Sequence, residues 1–324
     1  MRHGLGGFPL SLQTDIFQKG YSLAGGINEE QGIMVKQTGI GCERCERFGR
    51  LGYRLDTDRG QDNPTGRVVA CECARELCTC GALHEPTFAP APPYEQLPER
   101  AAAAEDETAC ICWRVRRHVT TLNRLLRDAG IPNLYRGKLR EDYHVRYPEG
   151  QVIPDAESAR GQAVTWLETA VKEPTGKSLF LYGVPGDGKT LLASAFLTEI
   201  ILLTRKSGLF VNLSRGYFQR LRNTYEDEPS IETTDQVFNR LTRVPFLVLD
   251  DIGVERGSAW EIEWLYNLID ARYQNQNRLI VTSNNSLEEL NVLSHGRISS
   301  RLRHACMVVR LPDVDLRERF RYGA

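Results

Sequence analysis

The sequence predicts an α/β protein, a parallel sheet with helices on both faces, preceded by a small cysteine-rich module. Three observations predict it. Five short apolar segments alternate with helical sequence from about Asp155 onward, a glycine-rich loop follows the first of them, and eight of the nine cysteines lie between Cys42 and Cys112.

At 324 residues the chain has room for about two domains, taking roughly 150 residues per domain as a prior. Its 41% hydrophobic and 26% charged residues are those of an ordinary globular protein, which excludes disordered and fibrous classes. Lys and Arg number 41 against 42 Asp and Glu, so the chain as a whole has no basic excess to bind nucleic acid. Any such contact needs a local patch. The first fifteen residues contain no apolar run of signal-peptide length, and no window reaches 18 consecutive apolar residues. The expectation is a cytoplasmic protein with no membrane partner, in which thiols stay reduced and clustered cysteines hold metal.

Taken in order, residues 1 to about 84 are rich in Gly and Cys and poor in long apolar runs. Residues 85–108 carry Pro86, Pro90, Pro92, Pro93 and Pro98, then four alanines and an acidic trio, and are expected to be an extended insertion. Val119, Leu122, Leu125 and Leu126 then recur at helical spacing until Gly130 and Pro132 stop the helix. We place the domain boundary there, with a cysteine-rich domain over 1–125 and the sheet domain over 126–324. The candidate strands are 178–182, 209–212, 246–249, 279–282 and 307–310. Each is too short for a buried helix, and helical sequence between them calls for crossover connections in a parallel sheet.

After the first strand comes Gly183-Val184-Pro185-Gly186-Asp187-Gly188-Lys189-Thr190, a full match to G-x-x-x-x-G-K-[ST], and helical sequence begins at Leu191. Glycines let the backbone wrap a polyphosphate, and the N–H groups of the loop and of the helix start meet its charge. Lys189 is the group that would reach the β- and γ-phosphates, and Thr190 would ligate Mg²⁺. The strand Phe246–Leu249 runs into Asp250 and Asp251, a carboxylate pair placed to hold Mg²⁺, with Asp250 as ligand, and an attacking water. The next strand ends in Thr282-Ser283-Asn284, whose amide can orient that water. Arg297 and Arg301 lie in a basic segment able to supply an arginine to a neighbouring subunit's γ-phosphate.

Four pairs of cysteines occur: Cys42 with Cys45, Cys71 with Cys73, Cys78 with Cys80, and Cys110 with Cys112. Short-spaced pairs supply two ligands from one turn, so eight thiols suit Zn²⁺ in up to two tetrahedral sites. The pairing stays open: Cys42/Cys45 with Cys71/Cys73, the same pair with Cys110/Cys112, or an interlocked arrangement. His84 could stand in for one cysteine.

The run from Phe246 to Glu261, then Asp270-Ala-Arg-Tyr273, Thr282-Ser-Asn284 and Ile298-Ser-Ser-Arg-Leu302, resembles the AAA+ ATPases of bacterial replicative-helicase loaders, the DnaC and DnaI type. It equally resembles their IstB-type transposition relatives. The resemblance covers roughly residues 126–320. It implies a five-stranded AAA+ sheet, ATP and Mg²⁺ as cofactors, Lys189 and Thr190 as Walker A, Asp250 and Asp251 as Walker B, Asn284 as sensor 1 and Arg301 as the arginine finger. Arg297 is the alternative finger, and Arg317 is considered for sensor 2. Where many relatives have Asp-Glu, this chain has Asp250-Asp251, which implies weak, regulated hydrolysis. A zinc module ahead of such an ATPase resembles the DnaI branch, in which it contacts the helicase. The implied function is loading of a replicative DNA helicase hexamer onto single-stranded DNA, with self-association through the ATPase domains. The alternative is an IstB-like ATPase that binds duplex DNA and recruits a transposase. Two stretches are candidates for DNA contact, the alternatives being a solvated helical face for the first and core aromatics of a helix for the second. One is the stretch from Arg114 to Arg146, with nine Arg and Lys against three acids. The other is Tyr217 and Phe218 with Arg215, Arg220 and Arg222.

Overall fold

The computed structural model describes residues 42–49, 51–57, 66–79, 83, 110, 112–213, 218, 221, 233–253, 258–293 and 296–317. Residues 85–108, Cys80, His84, Tyr217, Arg215, Arg220 and Arg222 lie outside that set. Two compact units are present, one drawn from residues 1–54, 70–89 and 96–116, the other from 55–69, 90–95 and 117–324. Among the described residues no helix is long and apolar enough to cross a membrane.

The first part consists of short pieces: α1 (Glu43–Glu46), β1 (Tyr53–Asp56), β2 (Arg67–Ala70) and α2 (Glu72–Glu76), with β1 and β2 forming a two-stranded sheet. The long helix α3 (Cys112–Asp128) follows; Val115, Val119 and Leu122 give it one buried face. A lead-in ends in a 3₁₀ turn at Arg140–Asp142, and then come α4 (Ala156–Lys172), β3 (Ser178–Tyr182), α5 (Lys189–Thr204), β4 (Gly208–Asn212), α6 (Thr234–Arg243), β5 (Phe246–Asp250), α7 (Ala259–Gln274), β6 (Arg278–Ser283), α8 (Leu287–Leu293), α9 (Arg297–Ala305) and β7 (Cys306–Arg310).

The five later strands form one sheet in the order β4-β5-β6-β3-β7, every pair parallel. All five residues of β5 and all six of β6 are buried, as strands covered on both faces must be. Helix α5 is buried almost all round, from Leu191 to Leu202, so it has no polar face to turn to water. Self-capping sets the starts of α6 and α7: Thr233 with Gln236, and Ser258 with Glu261, each close a reciprocal side-chain-to-backbone box. Because the order places β3 between β6 and β7, its carboxyl end lies mid-sheet, where parallel α/β folds receive ligands.

Two buried arginines brace the opposite, amino-terminal end of the strands. The Arg272 guanidinium donates to the carbonyls of Leu241 at 2.6 Å and Val244 at 2.8 Å, and burial lowers its ionisation to about 9. Arg278 Nε donates to Glu173 O at 2.8 Å. Both gather carbonyls that the ends of helices α6 and α4 leave behind.

Both candidates for DNA contact are narrowed here, the second in favour of its core alternative. Phe218 is a core residue, edge-on to Trp260 and Trp264, because its ring buries more apolar surface there than on the outside. Arg140, half-buried, is engaged in an ion pair with the buried Glu199, so it is withdrawn from the basic stretch.

Candidate functional site

The carboxyl ends of β3, β4, β5 and β6 open onto a cleft of about 660 Å³. Its floor is the loop between β3 and α5. Gly186 and Gly188 have φ of +91° and +92°, a left-handed backbone that side chains rarely adopt. Space forbids a Cβ as well. One on Gly186 would collide with the Asp315 carboxylate, and one on Gly188 would come within 2.8 Å of the Tyr143 ring. Residues 311–317 are stitched to the same loop, Leu311 N–H donating to Tyr182 O and Leu316 N–H to Gly186 O, at 2.8 and 2.9 Å.

Lys189 Nζ donates to Gly183 O, Val184 O and Asp187 Oδ1 at 3.0, 2.7 and 2.9 Å. Burial raises the Asp187 carboxyl, opposed by the adjacent Lys189 ammonium. Across the cleft, Asp250 is the centre of a complete network. Its Oδ1 accepts from the Thr190 and Thr282 hydroxyls at 2.8 and 2.7 Å, and its Oδ2 from the Asn212 amide at 2.8 Å. Sheet register brings these together: Asn212 and Asp250 are direct partners across the β4–β5 ladder.

Asp251 follows at φ +61°. Its backbone N–H donates to Thr282 Oγ1 at 2.9 Å, and its exposed carboxylate accepts from Asn284 Nδ2 at 3.1 Å. A buried carboxylate that fixes a hydroxyl beside an exposed one that meets an amide offers hard oxygen ligands and a polar seat for water.

The structure therefore assembles Pro185, Gly186, Asp187, Gly188, Lys189, Thr190, Leu191, Asp250, Asp251 and Asn284 around one cleft. Arg301 is elsewhere, on α9, with Nε 2.7 Å from Asp270 Oδ1 and its guanidinium over the Tyr273 ring. Arg317 does line the cleft, with Asn212 and Thr282. Those last two ended predicted strands as Asn284 did, which was the available signal. Pro132, Leu134, Tyr135 and Lys138 add a wall from the lead-in. Arg140 tethers that wall: its backbone N–H and its guanidinium both donate to the Glu199 carboxylate on α5, at 2.6 to 2.7 Å, with Glu199 1% exposed.

The cysteines gather in two groups. Cys42, Cys45, Cys71 and Cys73 form one and Cys78, Cys110 and Cys112 the other, which selects the first of the three pairings considered for Cys42 and Cys45. In the first group the sulfurs of Cys42 lie 4.0 Å from Cys45 and 3.4 Å from Cys71, and Cys45 lies 3.7 Å from Cys73. Cys110 and Cys78 are 3.8 Å apart. Tetrahedral Zn²⁺ with Zn–S near 2.3 Å sets its sulfurs about 3.8 Å apart, a spacing the four thiols of the first group fit and the three described thiols of the second match in the one pair at 3.8 Å. Burial pushes the Cys42 thiol up, but hydrogen bonds from neighbouring backbone and thiols outweigh it and leave it at about 7.

A five-stranded parallel sheet, a phosphate loop and paired aspartates at the next strand's end define an ATPase of the AAA+ class. The family of IstB-like ATP binding proteins matches residues 113–324, and the chain belongs to it. Among relatives, the replicative helicase loader DnaC of Escherichia coli K12 is 29% identical over 211 residues, covering 64% of this chain and 77% of DnaC. The replicative helicase loader DnaI of Bacillus subtilis is 30% identical over 116 residues, 36% of this chain and 35% of DnaI. YqaM of Bacillus subtilis is 23% identical over 296 residues, 86% of this chain and 84% of that protein. That last alignment is too long to be confined to the ATPase segment.

Proposed function

We propose that this chain is an ATP-dependent loader that places a hexameric replicative DNA helicase on single-stranded DNA. The observation that carries the reading is the alignment to DnaC, which takes in most of that loader's length. In this reading the loop amides and Lys189 hold the polyphosphate of ATP, and Thr190 with Asp250 holds Mg²⁺, whose positive charge offsets the negative charge of the phosphates. Asp251 and Asn284 seat the attacking water. Arg301 acts on the nucleotide of a neighbouring copy, leaving Asp270 to do so; its side chain is 40% exposed and therefore free to be drawn away. The cysteine groups bind Zn²⁺, and the domain over 1–125 docks on the helicase. Such a protein works in the cytoplasm.

The arginines of α3 support a backbone-tracking role for single-stranded DNA: Arg117, Arg124 and Arg127 are exposed. A second reading draws on the family itself, whose description is IstB-like, and makes the chain a duplex-DNA binder that recruits a transposase.

One experiment separates them. Full-length protein is mixed with the replicative helicase of the same organism and ATP, and helicase transfer to circular single-stranded DNA is scored. Loading that disappears in Lys189→Ala supports the loader; absence of helicase binding, with tight duplex-DNA binding in its place, supports the IstB-like reading.

A further inference from the structure

Asp187 is an acid inside an anion cradle. Between Gly186 and Gly188, where backbone N–H groups and Lys189 would attract a polyphosphate, this chain places a carboxylate that is 1% exposed. Its Oδ1 accepts from Lys189 Nζ at 2.9 Å and from the Lys189 backbone N–H at 3.2 Å. Gly183 O and Val184 O take the ammonium's other two protons. An ammonium has three protons, so the group that would reach the β- and γ-phosphates is fully engaged within its own loop. Asp187 Oδ2 is buried with no hydrogen-bond partner among the described residues, so the carboxylate has Lys189 as its main source of compensation. The Asp315 carboxylate lies against Gly186 and adds a second negative charge at the same cradle.

We propose that Asp187 sets nucleotide affinity by competing with the β- and γ-phosphates for Lys189, so that ATP binds only by displacing an ion pair internal to the loop. This rests on the reading of the cleft as the ATP site. The competition concerns the terminal phosphates alone. It therefore weakens ATP and ADP and leaves AMP, which ends at the α-phosphate, nearly untouched. Nucleotide also leaves more readily, because the departing phosphates are replaced at once by a carboxylate already in position.

The experiment titrates full-length protein with fluorescent ATP, ADP and AMP analogues in Mg²⁺. Asp187→Asn keeps the size and the acceptor for the Lys189 backbone N–H and drops the charge. We expect ATP and ADP to bind about tenfold more tightly and AMP to change less than twofold, a tenfold step being the scale of one displaced charge contact. Asp187→Glu, which keeps the charge, should not gain affinity. Asp187→Ser should show the same gain as the amide, and it serves if the amide variant folds poorly. Unchanged or weaker ATP binding in the neutral variants overturns the proposal, as does an equal gain for AMP. Lys189→Ala is measured alongside. If it binds ATP as well as the unaltered protein, the cleft itself has been misassigned, which is a different failure.

Discussion

Asp250 reaches its place at the end of a strand buried on both faces and paired on both sides. Cys42, Cys45, Cys71 and Cys73 are carried by helices of four and five residues beside a sheet of two four-residue strands. The two sites are stabilised from different sources. In the cleft, register delivers Asn212, Asp250 and Thr282 to one point, and three donors satisfy the carboxylate from within the chain. Ligand binding there adds to an arrangement the core already maintains. In the first cysteine group, four sulfurs within 4.8 Å of one another repel as thiolates, and the elements that carry them are short, with Phe48, Leu51, Tyr53 and Val68 among the buried residues of that part of the chain. With Zn²⁺ bound as proposed above, such a module would draw much of its stability from the ion.

Metal removal is the largest test of that difference. Structural Zn²⁺ is worth on the order of 10 kcal/mol to a small domain. If the cysteine groups hold Zn²⁺ as proposed, treating the full chain with a strong chelator should abolish amide-exchange protection over 42–49 and 66–79 while leaving protection over 178–204 and ATP binding intact. Parallel loss in both segments would break the comparison. A smaller effect, inside the ATPase part, should follow Glu199→Ala. Removing the buried Glu199 from this pair costs about 3 kcal/mol, because among the described residues the half-buried Arg140 keeps just the longer ion pair with Glu168 at 3.7 Å. Urea denaturation followed through the sheet domain should register that loss. ATP affinity should fall with it, since the wall of Pro132, Tyr135 and Lys138 loses its tether.

What the sequence made legible was what spacing alone determines. The five strands, the phosphate loop, Asp250 with Asp251, and Asn284 all follow from local patterns, and the cysteine pairs follow from their short intervals. Contacts between distant residues were not legible. Arg140 is one more base in a basic run until the fold brings Glu199 beside it from 59 residues away. Phe218 next to arginines leaves base stacking and core packing both open until Trp260 and Trp264 are seen edge-on to it. Asn212 ends a strand as Asn284 does, but its partnership with Asp250 is a fact of register, which no single strand encodes. The grouping of Cys78 with Cys110 and Cys112, apart from the other four, likewise depends on tertiary placement.

The smallest effect probes how much redundancy the cleft has. Asn212→Ala removes one of three donors to the Asp250 carboxylate and leaves the Thr190 and Thr282 hydroxyls in place. A hydrogen bond to a charged group contributes roughly 1.5–3 kcal/mol, and the low end applies here because Oδ2 faces a cleft that water can enter. Stability by denaturant should fall by about 1.5 kcal/mol, and ATP affinity should change by less than about threefold. If the register of β4 against β5 holds Asp250 independently of any one bond, the remaining two donors keep it in position and Thr190 stays available to Mg²⁺. A loss as large as that of Glu199→Ala would mean instead that the network, like the cysteine groups, stands or falls as one unit.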